Sequence, residues 1–151
     1  MYFAPLQMRE VLASVGPAAR EALAALLPGP VTVVVDNPER RFPLAGGEAP
    51  ERLGLRLIEG PLAGAAVAAM QSSANPSGGA DPRSLDAVDP ALRAAADLAI
   101  DAGELPGTPS TVVDVSGLDR EEGGWRLLRE GALSEAEVER RLGPLLSSPG
   151  R

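Results

Sequence analysis

The chain has 151 residues, 44% of them hydrophobic, and a net charge of −7 at pH 7. That length fits one domain, or one domain missing a piece, and the charge excludes the general basic field that tight non-specific nucleic-acid binding requires. Any RNA contact must be local or made through another protein. There is no Cys and no His, and all 14 basic residues are Arg. Disulfides, thiol nucleophiles, imidazole bases, cysteine metal sites, Schiff-base lysines and P-loop lysines are thereby excluded. Any catalysis must work by positioning with Arg, hydroxyls and amides, or through a metal held by carboxylates.

In chain order, Met1 to Ala4 reads as the end of a strand. Leu6, Met8, Val11, Leu12 and Val15 recur at helical spacing, predicting a helix over 6–15. Gly16-Pro17 interrupts it, and a second helix is expected over 17–27, with proline in its first turn. Pro28-Gly29-Pro30 stops that helix, and the β-branched run 31–35 predicts a buried strand. Residues 36–52, rich in Pro, Gly and charge, predict a surface loop, and 53–58 a strand with Arg56 inside it. Over 61–70 the pattern does not separate helix from strand. A polar loop over 71–83, helical pieces over 84–88 and 90–96, and a short strand over 97–101 come next. Strands are expected over 111–115 and, after Gly123-Gly124, over 125–129. The capping box Ser134-Glu135-Ala136-Glu137 opens a last helix to about Leu142, and 147–151 reads as a flexible tail. Strands alternating with helices predict an α/β domain. No apolar run reaches membrane-spanning length and the N-terminus lacks the pattern of a signal peptide, so a cytoplasmic protein is expected.

Several loops pair Gly or Pro with a hydroxyl or Arg beside an expected strand. They are Pro28-Gly29-Pro30-Val31-Thr32, Gln71-Ser72-Ser73-Ala74-Asn75-Pro76-Ser77-Gly78, Gly107-Thr108-Pro109-Ser110-Thr111 and Leu128-Arg129-Glu130-Gly131, with Arg56 inside its strand. In open α/β sheets, loops at strand ends present backbone N–H groups and short polar side chains to ligands. Arg adds a bidentate grip on phosphate or carboxylate. Taken singly, each of these loops is ordinary turn chemistry; their order and spacing together are specific.

That order, with Leu53-Gly54-Leu55-Arg56, Pro109-Ser110-Thr111-Val112-Val113-Asp114 and Leu128-Arg129-Glu130-Gly131-Ala132-Leu133-Ser134, resembles the YrdC family of threonylcarbamoyl-adenylate synthases over about 6–141. The resemblance implies a YrdC-like twisted mixed sheet with helices packed on it, as a single domain over 1–146. It implies the condensation of L-threonine, bicarbonate and ATP into threonylcarbamoyl-AMP with release of pyrophosphate, Mg2+ accompanying the nucleotide. Partner proteins of tRNA modification would then receive the product. Position by position, Thr32, Ser73, Asn75 and Arg129 match residues that hold ATP, while Arg56 and Ser110 match residues on the threonine side. No residue is assigned covalent catalysis.

Departures from the family pattern are two. Ile58-Glu59-Gly60 stands where the family commonly has Pro soon after the Arg56 position. The family also begins with several tens of residues that carry a threonine-binding strand and a Lys/Arg pair gripping the triphosphate, and these N-terminal strands are expected to be missing here. The accompanying expectations are impaired synthesis by this chain alone and a homodimer through the uncovered sheet edge. A different class of reading is a non-catalytic module that binds nucleotide or double-stranded RNA, with weak RNA contact through clustered Arg.

Overall fold

The structure is a computed structural model that describes residues 2–3, 5–57, 59, 68–76, 79–121 and 123–143. It contains two compact units, Met1–Met70 with Ser110–Arg151, and Gln71–Pro109. The elements in chain order are β1 (Tyr2–Phe3), α1 (Pro5–Leu12), α2 (Pro17–Leu26), β2 (Val31–Asp36), α3 (Pro43–Gly46), β3 (Arg52–Leu57), α4 (Pro90–Ala95), β4 (Thr111–Asp114), β5 (Arg126–Arg129) and α5 (Glu135–Leu142). Among the described residues no helix is long and apolar enough to cross a membrane.

The first unit is a mixed sheet in the order β1-β3-β2-β4-β5. Strand β2 pairs antiparallel with β3 and parallel with β4, and β4 pairs antiparallel with β5. The α/β expectation holds. Side chains alternate across a strand, and the burial follows that period. Val31, Val33 and Val35 of β2, Leu53 and Leu55 of β3, and Val113 of β4 are all fully buried. They meet Met8 and Val11 of α1, Ala22, Leu23 and Leu26 of α2, and Val138 and Leu142 of α5 in one hydrophobic core. The opposite face carries Thr32, Val34, Asp36, Arg52, Gly54, Arg56, Val112 and Asp114. The β-branched run expected to be wholly buried is therefore half-buried, with its even-numbered residues on the polar face.

Helix boundaries differ from the periodicity for local reasons. The first helix ends at Leu12, three residues early, because Ser14 and Val15 donate to Val11 and Leu12, a tighter i→i−3 closure. Gly16, preceding Pro17, is then extended, as the residue before a proline tends to be. Helix α2 starts at Pro17 as expected, and its first turn is capped from far along the chain. Asp119 accepts from Ala18 N–H at 2.9 Å and Ala19 N–H at 3.1 Å. A Cβ on Gly16 would collide with the Asp119 carboxylate, so glycine there makes room for the cap. Asp119→Ala is expected to cost about 1 kcal/mol in urea denaturation, as for other N-cap losses. A change within error of zero would show that the cap contributes nothing.

At α5 the Ser134 hydroxyl accepts from Glu137 N–H, but the Glu137 carboxylate turns to Arg140 and Arg141 instead of closing the box. Those two guanidinium groups draw the Glu137 carboxyl down to about 2.

In the second unit, a 3₁₀ turn (Leu85–Ala87) and α4 match the two expected helical pieces. The expected strand over 97–101 is absent. Its residues form no ladder, and Leu98 and Ile100 are 76% and 64% exposed. A short alternating run becomes a strand only with a partner to satisfy its backbone, and these residues have none. The ambiguous stretch over 61–70 falls outside the described residues from 61 to 67, as do Ser77, Gly78 and the tail over 147–151.

Candidate functional site

Parallel pairing of β2 with β4 sets Val31 beside Thr111. The residues just inside and just before these strands, Thr32 and Ser110, therefore meet at one end of the polar sheet face. Their hydroxyl oxygens are 3.5 Å apart. Arg129, at the end of the edge strand β5, reaches back across β4. Its Nε and Nη2 donate to the Ser110 carbonyl at 3.1 and 2.8 Å, and Nη2 also reaches the Ser110 Oγ at 3.2 Å. Among the described residues Arg129 has no carboxylate partner, so its charge is not neutralised locally.

The turn after Arg129 is anchored by Thr111. Its hydroxyl is fully buried, donates to Leu133 C=O, and accepts from Gly131 N–H at 3.1 Å and Leu133 N–H at 2.9 Å. The turn that directly follows Arg129 is thus tied to the first residue of β4.

Arg56 belongs to the same end of the same face. The antiparallel register that sets Val33 opposite Leu55 brings Thr32 level with Arg56. Gly54, two residues before Arg56, leaves room for Thr32: a Cβ there would stand 3.2 Å from the Thr32 methyl. Arg56 is half-buried, with its Nε inside. Four of the six residues singled out from sequence, Thr32, Arg56, Ser110 and Arg129, are therefore neighbours. Ser73 and Asn75 belong to the second unit. There Ser73 is exposed, while Asn75 Nδ2 donates to Gly79 C=O and its buried Oδ1 has no hydrogen-bond partner among the described residues.

The other end of the polar face holds a cluster that the residue reading did not assign. Asp114, 2% exposed, accepts from Arg52 Nη1 at 2.6 Å and Arg126 Nη2 at 2.8 Å through one oxygen. Its other oxygen accepts from Ser116 N–H at 3.0 Å. Burial pushes this carboxyl up, but hydrogen bonds from Ser116 and Arg126 and the charge of Arg52 outweigh it and leave the group below its usual range. The signal was present in sequence as an acidic residue ending an otherwise apolar β-branched strand. A buried carboxylate in such a place needs cationic partners, and only the pairing of three strands reveals which.

Fold and face together define an α/β domain whose mixed sheet is covered by helices on one side and carries hydroxyls and Arg on the other. The family model Sua5_yciO_yrdC, described as telomere recombination, matches residues 1–131. The chain belongs to that family, which includes threonylcarbamoyl-adenylate synthases and RNA-binding members. No curated protein and no solved structure matches the chain significantly.

Proposed function

We propose that this chain is an L-threonylcarbamoyladenylate synthase of tRNA modification, holding ATP and L-threonine at the Thr32–Ser110 end of its polar sheet face. The observation that carries the reading is the convergence of Thr32, Ser110 and Arg129 within hydrogen-bond reach, level with Arg56. ATP is an anion and threonine presents a carboxylate, and the two Arg supply positive poles for them in an otherwise acidic chain. Arg129 suits the phosphates because its fork is pre-oriented by the Ser110 carbonyl. Arg56 suits the threonine carboxylate, and Thr32 and Ser110 provide short donors and acceptors between the two. Ser73 and Asn75 contribute to ATP binding in the same reading.

The chemistry asks little covalent work of the protein. Threonine and bicarbonate give a carbamate and water; a carbamate oxygen then bonds to the α-phosphorus of ATP and pyrophosphate leaves. What these side chains do is hold two anions in line and offset the charge that develops at phosphorus. Among the described residues no group of three acidic side chains could enclose a metal ion. Mg2+ would therefore ride on the triphosphate oxygens and water, as it commonly does.

The test is calorimetric titration of ATP and of L-threonine into the full chain. Arg129→Gln should weaken ATP by about tenfold and spare threonine, and Arg56→Gln should do the reverse, since a charge-assisted bond is worth about 1.5–3 kcal/mol. Failure of wild type to bind L-threonine would sink the reading.

A second reading is a non-catalytic nucleotide- or double-stranded-RNA-binding module. It is favoured by Arg52, Arg56, Arg126 and Arg129 lying on one sheet side despite the net charge of −7. Salt-dependent tRNA retention in the absence of threonine binding would select it.

A further inference from the structure

The cluster around Asp114 walls a pocket of about 450 Å³, lined by Arg52, Ser116, Arg120 and Arg126 and by glycines of the β4–β5 connection. Ser110 and Asp114 are four residues apart, so along an extended strand the pocket stands about 13 Å from the Thr32–Ser110 end. We propose that this pocket is a second anion site, specific for a phosphate group, separate from the one described above.

Three guanidinium groups reach it from three different places: Arg52 from β3, Arg120 from the β4–β5 connection and Arg126 from β5. Against them stand two carboxylates, Asp114 in the lining and Asp36 beside Arg120, so three positive charges meet two negative ones, a net of +1. Asp114 is buried, with both oxygens already accepting. It serves as the post that aims Arg52 and Arg126, leaving little surface to repel an incoming anion. Arg120 is held from the side by Asp36, at 2.9 Å. Each guanidinium has five N–H donors, and these contacts use Nη1 of Arg52, Nη2 of Arg126 and Nη2 of Arg120. The side chains are 37%, 58% and 63% exposed for Arg52, Arg126 and Arg120, so their charge faces the solvent-filled space.

The wall is also tied to its surroundings at two points. Asp119, next to Arg120, is locked to the start of α2. The backbone of Gly117 passes so close to Gly124 that a Cβ on Gly117 would stand 2.7 Å from the Gly124 carbonyl. These ties flank Arg120 and preorganise it beside the pocket, which lowers the cost of binding. Three forks arranged around a cavity match an anion with oxygens on several sides. A carboxylate presents two oxygens in one plane and would leave one fork idle, whereas phosphate engages all three.

Inorganic pyrophosphate, titrated calorimetrically into the full chain at constant ionic strength, tests the site. The titration is run in the Arg129→Gln variant as well as wild type, so that the Thr32–Ser110 end contributes less, and the Arg120 and Asp36 variants tell the two ends apart. Saturable binding should persist in Arg129→Gln. Adding Arg120→Gln to that variant should weaken it by about tenfold, and adding Asp36→Asn, which releases Arg120, should tighten it. Arg120 is exposed and Asp36 half-buried, and circular dichroism would confirm that both variants fold. Absence of saturable heat in Arg129→Gln, or equal affinity with and without Arg120, overturns the proposal. Neither result bears on threonine binding, so the two readings stand or fall apart.

Discussion

Thr111→Val should lower stability by about 3 kcal/mol, through buried backbone groups left without partners. Valine has nearly the shape of threonine, so no cavity opens and the loss is purely polar. The hydroxyl serves three backbone groups: the N–H of Gly131, and the N–H and C=O of Leu133. Thr111 and Leu133 are buried, so water cannot replace the hydroxyl for Leu133, while half-exposed Gly131 can turn to solvent. The measurement is the urea midpoint at unchanged m-value. Because the freed turn begins just after Arg129, the ATP affinity that the proposed function requires should fall too, and by more than Thr111 could explain by contact, since it is wholly enclosed. A midpoint shift equivalent to less than about 0.5 kcal/mol, the range of ordinary surface changes, would refute the account.

Asp114→Ala should be comparably damaging, at about 3 kcal/mol near neutral pH. That is the low end for breaking a buried ion pair, because the abandoned partners, Arg52 and Arg126, can both reach water. The isosteric Asp114→Asn separates charge from shape, and the sign of its pH dependence follows from linkage. The folded-state carboxyl lies below the ordinary value of 3.8. Its ionised form therefore stabilises the fold at every pH above the unfolded value, and that contribution disappears as pH falls through the folded one. The gap between wild type and Asp114→Asn should be constant above about pH 5 and shrink steadily below about pH 4. A gap that widened on acidification would show that burial outweighs the hydrogen bonds and the Arg52 charge.

Much of the fold was legible because β2, β4 and α2 are written in patterns that tertiary context reinforces. The alternation of Val31, Val33 and Val35 coincides with one buried face, and Pro17 marks the first turn of α2 as such prolines do. The false strand over 97–101 shows the limit: Leu98 and Ile100 have the spacing, but a ladder needs a neighbour, and a neighbour is not a local property. The site was legible in the same uneven way. Thr32, Arg56, Ser110 and Arg129 could be named because motifs flag loop and strand-end residues. The Asp114 cluster could not, since Arg52, Arg120 and Arg126 look like any surface Arg until strand order brings them together. The Asp119 cap was invisible for a sharper reason: donor and acceptor are 101 positions apart.

That separation has a kinetic consequence. Strands β2 and β3 lie close in sequence, and so do β4 and β5, whereas Thr32 and Ser110 are 78 positions apart. Two hairpins can therefore form early and independently, while zipping β2 to β4 waits on closure of a long excursion. The entropic toll of that closure rises only by about 0.6 kcal/mol per doubling of its length, so the late step is slow more than it is weak. Thr32 and Ser110 sit on opposite banks of this seam. A ligand bridging them engages only chains that have completed it, and would act as a clasp that slows the seam's reopening.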